Sequence, residues 1–146
     1  MADIVIYAGS LVNKKIFESV KQSALIYDSS KMTLEQVLGV INKAKVTKKI
    51  VARVHTGDPS LYGAIGEQID WCKKNNISYK VIPGVSSFCA GAATLGQELT
   101  LPGITQTVII SRISGKTKVP QKENLKLLAK IRATLVLFLS IQDIGK

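Results

Sequence analysis

The sequence predicts an α/β fold, a mainly parallel sheet with helices on both faces. Short apolar runs of strand length alternate with segments whose apolar residues recur every three or four positions. Strands that alternate with helices form parallel sheets, because each helix carries the chain back to the start of the next strand. With 146 residues, 46% of them hydrophobic, the chain can form one domain with a packed core.

The predicted strands are six short runs rich in apolar and β-branched residues. They span residues 3–7, 24–27, 49–54, 78–82, 107–111 and 134–139. The first predicted helix begins near Thr33, where Thr33 and Gln36 have capping-box spacing. The other predicted helices cover 60–75, 86–95 and 122–131, and residues 114–121 are expected to form an exposed loop.

The formal net charge of +10 favours a partner with many negative charges. Such a partner could be nucleic acid, an anionic membrane surface or a ligand with many carboxylates. The charge is equally compatible with a lysine-rich protein that has no such partner. The lysines are dispersed and only 5% of residues are aromatic, which disfavours a protein that stacks single-stranded bases. No apolar run reaches 18 residues, so we expect no membrane span.

Cysteine and histidine are too few to suggest a metal site. Cys72 and Cys89 have no predicted metal-ligand partners nearby, and His55 is the only histidine. The N-terminus lacks the pattern of a signal peptide, so we expect a reduced, cytoplasmic protein without a metal.

The loop His55-Thr56-Gly57-Asp58-Pro59-Ser60-Leu61-Tyr62-Gly63 joins a predicted strand to a predicted helix. Ligands of open α/β sheets bind in loops that follow strands. Asp58 is compatible with either a ribose contact or a helix cap, and His55 with either loop packing or a catalytic base.

A second such loop is Ile82-Pro83-Gly84-Val85-Ser86-Ser87, whose serines offer hydroxyls to a ligand or to the next helix. If consecutive strands are neighbours, the two loops face each other. Motifs of dinucleotide-binding proteins, P-loop NTPases, serine hydrolases and zinc proteases are absent from the sequence.

Both loops, followed by Leu99-Thr100-Leu101-Pro102, resemble the motifs of the tetrapyrrole (corrin/porphyrin) methyltransferases, which use S-adenosylmethionine. Within that superfamily, segments 7–12, 53–59 and 106–112 are most similar to the precorrin-4 C11-methyltransferases of cobalamin synthesis. The resemblance extends over essentially the whole chain.

The resemblance implies methyl transfer from S-adenosylmethionine to C11 of precorrin-4 or cobalt-precorrin-4, releasing S-adenosylhomocysteine. An electron-rich ring carbon attacks the sulfonium methyl group, so the reaction needs alignment more than a strong base. No residue is assigned as catalytic. The residues implied to contact the cofactor are Thr56, Gly57, Asp58, Leu61, Ser86, Ser87 and Leu139.

A tetrapyrrole substrate carries many carboxylates, which gives the positive charge of the chain a use. Arg53, Arg112 and Lys116 are the candidates for carboxylate contacts. His55 and Tyr62 are the candidates for the border of the macrocycle.

Two features of that family are not found in the sequence: an opening strand with a G-x-G-P-G-D loop, and a second domain. We therefore expect residues 1–146 to be a partial N-terminal α/β domain without its first βα unit, truncated at both ends. Residues past about 115 would lead into the second domain. Such a chain would expose a sheet edge, so we expect self-association as a homodimer and doubtful activity in isolation.

Three alternatives remain open from the sequence. In the first, the chain methylates another position of a corrin ring. In the second, it acts on RNA, as relatives with the same fold do. In the third, it is a non-catalytic fragment that oligomerises. Nucleic acid and membrane are the less favoured partners. Steeply salt-dependent RNA binding would support the second alternative, and light scattering with a cofactor titration would test the third.

Overall fold

The computed structural model describes residues 1–9, 12–115 and 117–145. The chain divides into two compact units, Met1–Ser86 and Ser87–Lys146, which we call the first and the second unit. Each unit contains its own parallel sheet.

The first unit is built on a three-stranded parallel sheet. Its strands are β1 (Ile4–Tyr7), β2 (Leu25–Asp28) and β3 (Val51–Val54), in the order β2-β1-β3. The side chains of β1 are the best buried, with Ile6 completely inaccessible. A central parallel strand is covered on both faces, which explains why its sequence is a continuous apolar run.

Helix α1 (Leu34–Val46) connects β2 to β3 and begins at Thr33. Gln36 N donates to Thr33 Oγ1 at 3.3 Å and Thr33 N donates to Gln36 Oε1 at 2.9 Å. This reciprocal pair is the predicted capping box, so the predicted start of the helix is confirmed. The core of the unit comprises Ile4, Ile6, Val37 and Ala44.

Helix α2 (Gly66–Lys74) starts six residues later than the sequence predicts. The preceding residues form a turn in which Tyr62 and Ala64 have positive φ angles of 56° and 49°. Left-handed residues cannot continue a right-handed helix, so the helix begins only after this turn.

The predicted strand over residues 78–82 is wrong for the described structure. These residues belong to no strand, and β3 pairs with β1 alone. The run has strand-forming side chains, but a strand also requires a neighbour that accepts its backbone hydrogen bonds.

The second unit contains helices α3 (Ser87–Leu95) and α4 (Leu125–Ala129) and strands β4 (Val108–Arg112) and β5 (Thr134–Phe138). β4 and β5 are parallel, with Val108 opposite Thr134. Short 3-10 helices cover Lys14–Ser19, Ser29–Lys31, Gln121–Glu123 and Ile141–Asp143.

The buried Ser140 hydrogen-bonds the backbone just after β4 and at the last residue of β5. Its Oγ accepts from Ile113 N at 3.0 Å and donates to Phe138 O at 2.7 Å. The ring of Phe138 packs edge-on against Phe88, with 6.1 Å between centroids.

All named strand pairs are parallel and helices connect the strands, so the predicted α/β class is confirmed. That residues past about 115 lead into a further domain stays a prediction. Within the described ranges, no helix is long and apolar enough to cross a membrane. The same ranges contain no group of three or more potential metal-binding side chains. Cys72 and Cys89 are free thiols.

Candidate functional site

Two loops meet in the first unit. The Asp58 loop (residues 55–65) follows β3, and the Ser86 loop (residues 82–86) precedes α3. Gly84 N donates to Asp58 Oδ2 at 2.9 Å, while Asp58 Oδ1 accepts from Ser60 N at 2.9 Å and from Ser60 Oγ. The carboxylate therefore joins the two loops, although the strand that was expected to bring them together, over residues 78–82, does not form.

Two glycines allow the loop backbones to approach closely. Gly57 has a φ of 66°, and a Cβ on it would lie 3.3 Å from Ser86 Cα and 3.5 Å from Val85 O. A Cβ on Gly84 would collide with Gly57 O. The contact therefore requires residues without side chains at both positions.

The Asp58 loop stores backbone strain beyond its glycines. Tyr62 and Ala64 both have positive φ angles, and Gly63 lies so close to Pro59 that a Cβ would collide with Pro59 O. Non-glycine residues adopt this conformation only where the surrounding structure imposes it, and such residues cluster at functional sites.

The pKa of Asp58 lies below its usual value. The hydroxyl of Ser60 contributes most, followed by the backbone N–H groups of Gly84 and Ser60. Each of these donors stabilises the ionised carboxylate, so Asp58 is charged at neutral pH. Asp58 therefore has a structural role in the loop junction, and its contact with a ribose stays a prediction.

His55, the first residue of the Asp58 loop, has a buried Nε2 atom without a hydrogen-bond partner among the described residues. Burial, and then the positive charge of Arg53, lower the pKa of His55. The imidazole is therefore neutral at pH 7 and has an unused polar atom.

Arg53 lies on β3 with a half-buried guanidinium group. Its Nη1 donates to Ile6 O at 3.1 Å and its Nε donates to Gln68 Oε1 at 3.3 Å. Burial lowers the pKa of Arg53, but an arginine still remains charged at neutral pH. The guanidinium thus ties β3 to β1 and α2, and its contact with a substrate carboxylate stays a prediction.

The remaining predicted residues of the first unit lie on the same two loops. Ser86 is 6% exposed and packs against Gly57. Thr56 is exposed, Leu61 is half-buried and Tyr62 is 44% exposed. The structure therefore brings Gly57, Asp58 and Ser86 to one junction, and Thr56 and Leu61 lie on the Asp58 loop beside it.

Other predicted residues belong to the second unit. Ser87 is the first residue of α3, and Leu139 follows β5 with a φ of 53° and 72% exposure. Arg112 ends β4 and donates from Nη1 to Thr117 O at 3.0 Å. Lys116 lies outside the described residues, and so do Ser10 and Leu11 of the segment 7–12.

Gly84 is the residue that sequence reasoning missed. The Pro83-Gly84 pair signals a turn in the sequence, but not that Gly84 N bonds Asp58 or that its missing Cβ leaves room for Gly57. Both properties depend on a residue far away in the chain.

Comparison with known families gives one match over residues 1–146, to the family described as Tetrapyrrole (Corrin/Porphyrin) Methylases. The cobalt-precorrin-4 C(11)-methyltransferase of Methanocaldococcus jannaschii is 52% identical and matches 99% of this chain and 56% of its own length. The precorrin-4 C(11)-methyltransferase of Pseudomonas aeruginosa is 43% identical, and the match covers 98% of this chain and 57% of that enzyme. The chain thus spans little more than half the length of these relatives.

Among solved structures, a cobalt precorrin-4 methyltransferase superposes with a TM-score of 0.90 at 44% identity. The superposition includes 95% of this chain and 58% of the solved chain. A uroporphyrin-III C-methyltransferase from Thermus thermophilus, complexed with S-adenosyl homocysteine, has a TM-score of 0.74 at 21% identity and supports the fold alone.

Proposed function

Because this chain belongs to the tetrapyrrole (corrin/porphyrin) methylase family, we propose that it takes part in methyl transfer from S-adenosylmethionine to C11 of precorrin-4 or cobalt-precorrin-4. The observation that carries the proposal is 52% identity, across 99% of the chain, to an enzyme named for this reaction. Several further relatives, from 35% to 44% identical, have the same C11 activity in their names.

The junction between the Asp58 and Ser86 loops fits such a cofactor. S-adenosylmethionine has hydroxyl, carboxylate, ammonium and adenine groups, and it needs polar partners on an accessible backbone. Gly57 is exposed and lacks a side chain, and Thr56 offers an exposed hydroxyl. The adjacent His55 has a buried nitrogen with no hydrogen-bond partner among the described residues.

Thr56, Gly57, Leu61 and Ser86 of the first unit would hold the cofactor. For Ser87 and Leu139, contact with the cofactor rests on the family resemblance alone. When bound, the cofactor supplies a methyl group on a positively charged sulfur. The task of the chain is to position this group against the acceptor carbon and to exclude water, since no proton has to be removed before attack. Asp58 contributes by keeping the two loops together.

The substrate part of the proposal rests on charge. Arg53, Arg112 and Lys116 would attract the carboxylates of a tetrapyrrole, and His55 and Tyr62 would border its ring. The net charge of +10 supports a ligand with many negative groups. A homodimer and a cytoplasmic location stay predictions.

Equilibrium dialysis with labelled S-adenosylmethionine tests the cofactor site directly. We expect saturable binding that S-adenosylhomocysteine displaces, and weaker binding by Thr56→Val. Thr94→Val is the matched control, because Thr94 lies on α3 and its hydroxyl donates only to Ala90 O within its own helix. If Thr56→Val binds S-adenosylmethionine as tightly as the unmodified chain, Thr56 does not contact the cofactor. If the unmodified chain does not bind it, the proposal is contradicted.

The acceptor is tested with precorrin-4 and with uroporphyrinogen III in parallel. The second substrate is included because a uroporphyrinogen-III C-methyltransferase of Bacillus subtilis is 32% identical to the chain. We expect mass spectrometry to show a gain of one methyl group on precorrin-4 alone, and carbon NMR to place it at C11. Methylation of uroporphyrinogen III instead would assign the other acceptor.

A further inference from the structure

Lysines of the first unit are concentrated at one end of its sheet. The three strands are parallel, with their first residues opposite one another, so their amino ends share one edge. Helix α1 ends beside that edge, because residues 47–50 alone connect it to β3. The end of α2 lies there too, since Lys45 Nζ donates to Asn75 O at 2.7 Å. The ends of both helices therefore contribute to one surface.

Six exposed lysines form this surface, which we call the basic edge. The nearby Asp3 is already occupied, because its carboxylate accepts from Lys21 Nζ at 2.8 Å and from Ile50 N at 2.9 Å. Asp70 lies 3.9 Å from one of the six ammonium groups, so the surface keeps an excess of positive charge. The basic edge comprises Lys43, Lys45, Lys48, Lys49, Lys73 and Lys74.

Four acids of the first unit lie at the other end of the sheet. Asp28 ends β2 and Asp58 follows β3, so both are at the carboxyl ends of strands. Glu35 and Glu67 lie in the first turns of α1 and α2, the helix ends far from the basic edge. Strands of four residues separate the two ends by about 13 Å. A group bound at the Asp58 loop therefore does not contact the basic edge.

Lys48 is the residue of the basic edge that helix stability does not explain. It is the second residue after α1 and has a φ of 51°, and Lys49 N bonds back to Ala44 O at 2.9 Å. This helix ending favours glycine or asparagine at the left-handed position, and α2 has Asn76 there with a φ of 52°. The left-handed conformation costs a lysine more free energy than a charge near a helix C-terminus gains. Lys48 thus places a positive charge where stability favours another residue.

We propose that the basic edge binds an acidic segment of a partner protein that has an apolar residue among its carboxylates. Ammonium groups are electrostatically complementary to carboxylates. Val46 lies between Lys45 and Lys48 in the chain and is 77% exposed, so it offers an apolar contact that a phosphate backbone cannot use. Residues 43–49 and 73–75 contain no aromatic ring on which nucleic-acid bases could stack.

Two other partners fit this surface less well. A second copy of the chain also carries a net charge of +10, so the two repel each other, and its Asp28 and Asp58 already accept from Ser30 and Ser60. Stable attachment to a membrane surface requires a substantial inserted apolar face or a lipid anchor. Within residues 43–49 and 73–75, Val46 is the one large apolar side chain that is exposed.

The test uses the full chain and a synthetic peptide, acetyl-EEELEEE-amide, with acetyl-QQQLQQQ-amide as the neutral control. An NMR titration measures the affinity and maps the contact. We expect the acidic peptide to shift the amide signals of 43–49 and 73–75, with an affinity that falls as salt is added, and the neutral peptide not to bind. Shifts confined to the Asp58 loop, or equal binding of the neutral peptide, would overturn the proposal.

Lys48→Gly separates binding from stability. Glycine relieves the left-handed strain, so we expect a higher urea midpoint together with an affinity for the acidic peptide about two- to fivefold weaker. Asn76→Gly is the matched control, because Asn76 is the left-handed residue of the second helix end and carries no charge. It should leave the affinity unchanged. Unchanged affinity in Lys48→Gly, or an equal loss in Asn76→Gly, would overturn the proposal.

Two further comparisons identify the partner. Val46→Ser should weaken binding of the peptide with the central leucine but not of acetyl-EEEEEEE-amide, and equal effects on the two peptides would contradict an apolar contact at Val46. An RNA of ten nucleotides and vesicles of phosphatidylglycerol are titrated in parallel. If either binds the basic edge more tightly than the peptide, the proposal is overturned. Because every readout is binding or unfolding, the result does not depend on whether the chain transfers methyl groups.

Discussion

Asp58 and Gly84 are joined by a hydrogen bond of 2.9 Å from Gly84 N to Asp58 Oδ2, across a separation of 26 residues in the chain. The other oxygen of the same carboxylate holds Ser60 N at 2.9 Å. One side chain thus shapes its own loop and anchors the loop that carries Ser86. The proposed cofactor site depends on this connection, because its residues come from both loops.

Asp58→Asn should loosen the junction, because an amide has only one acceptor oxygen and cannot serve both Ser60 and Gly84. We expect the amide hydrogen of Gly84 to exchange roughly tenfold faster, in line with the loss of one hydrogen bond. Asp70→Asn is the control, since among the described residues Asp70 forms a single exposed ion pair, at 3.9 Å from Lys73. Unchanged exchange at Gly84 would show that Asp58 does not hold the Ser86 loop in solution.

Gly57→Ala should destabilise the chain by about 1–2 kcal/mol, the cost of a left-handed conformation for a residue with a Cβ. The new methyl group would also press on Ser86 Cα at 3.3 Å. Urea unfolding measures the change. Gly39→Ala is the matched control, because beyond its own helix turn no described atom lies within 4 Å of its Cβ position in α1, and it should be neutral or stabilising by up to about 1 kcal/mol.

Arg53→Met should raise the pKa of His55. Burial is the main reason that this pKa is low, and the charge of Arg53 is the second. Removing the charge leaves the burial in place, so the pKa should rise but stay below its usual value. Proton NMR can follow the titration without assignment, because the chain has one histidine. Lys43→Met, on α1, should leave it unchanged, and a pKa that falls in Arg53→Met would contradict the geometry.

The free energy of unfolding should decrease as the pH is lowered from about 7.5 to about 5.5. The pKa of His55 is lower in the folded chain than the value of about 6.5 expected when unfolded. Between these two values the unfolded chain binds more protons, so acid favours unfolding. Urea titrations at several pH values measure the slope. His55→Gln should make the free energy of unfolding less dependent on pH in this range. If the pH dependence stays the same in this variant, groups other than His55 cause it.

Ser140→Ala should destabilise the second unit by about 1–3 kcal/mol, because Ile113 N loses its acceptor at a half-buried position. Ser114→Ala removes a similar acceptor from Val119 N, but at an exposed position where water replaces it. We expect that control to change stability by less than about 0.5 kcal/mol. Thermal unfolding followed by circular dichroism compares the two, and equal effects would contradict this account of Ser140.

Local patterns predicted much of the fold correctly. The capping box at Thr33 and Gln36 forms as its spacing indicates, because both partners lie within one helical turn. Five of the predicted strands appear within one or two residues of their predicted bounds, since their burial is encoded in the run of apolar residues. The motifs around Asp58 and Ser86 also indicated the family that the comparison established.

Tertiary structure decided the rest, because it depends on partners that are distant in the chain. Residues 78–82 have the composition of a strand but pair with no strand of the described structure, and they line a cavity. Asp58 appears in the sequence as a helix cap or a ribose ligand, and the fold gives it Gly84 as a partner. The buried nitrogen of His55 likewise follows from packing. A hydrogen bond within one turn follows from spacing alone, whereas one between loops exists only after the sheet and helices have brought them together.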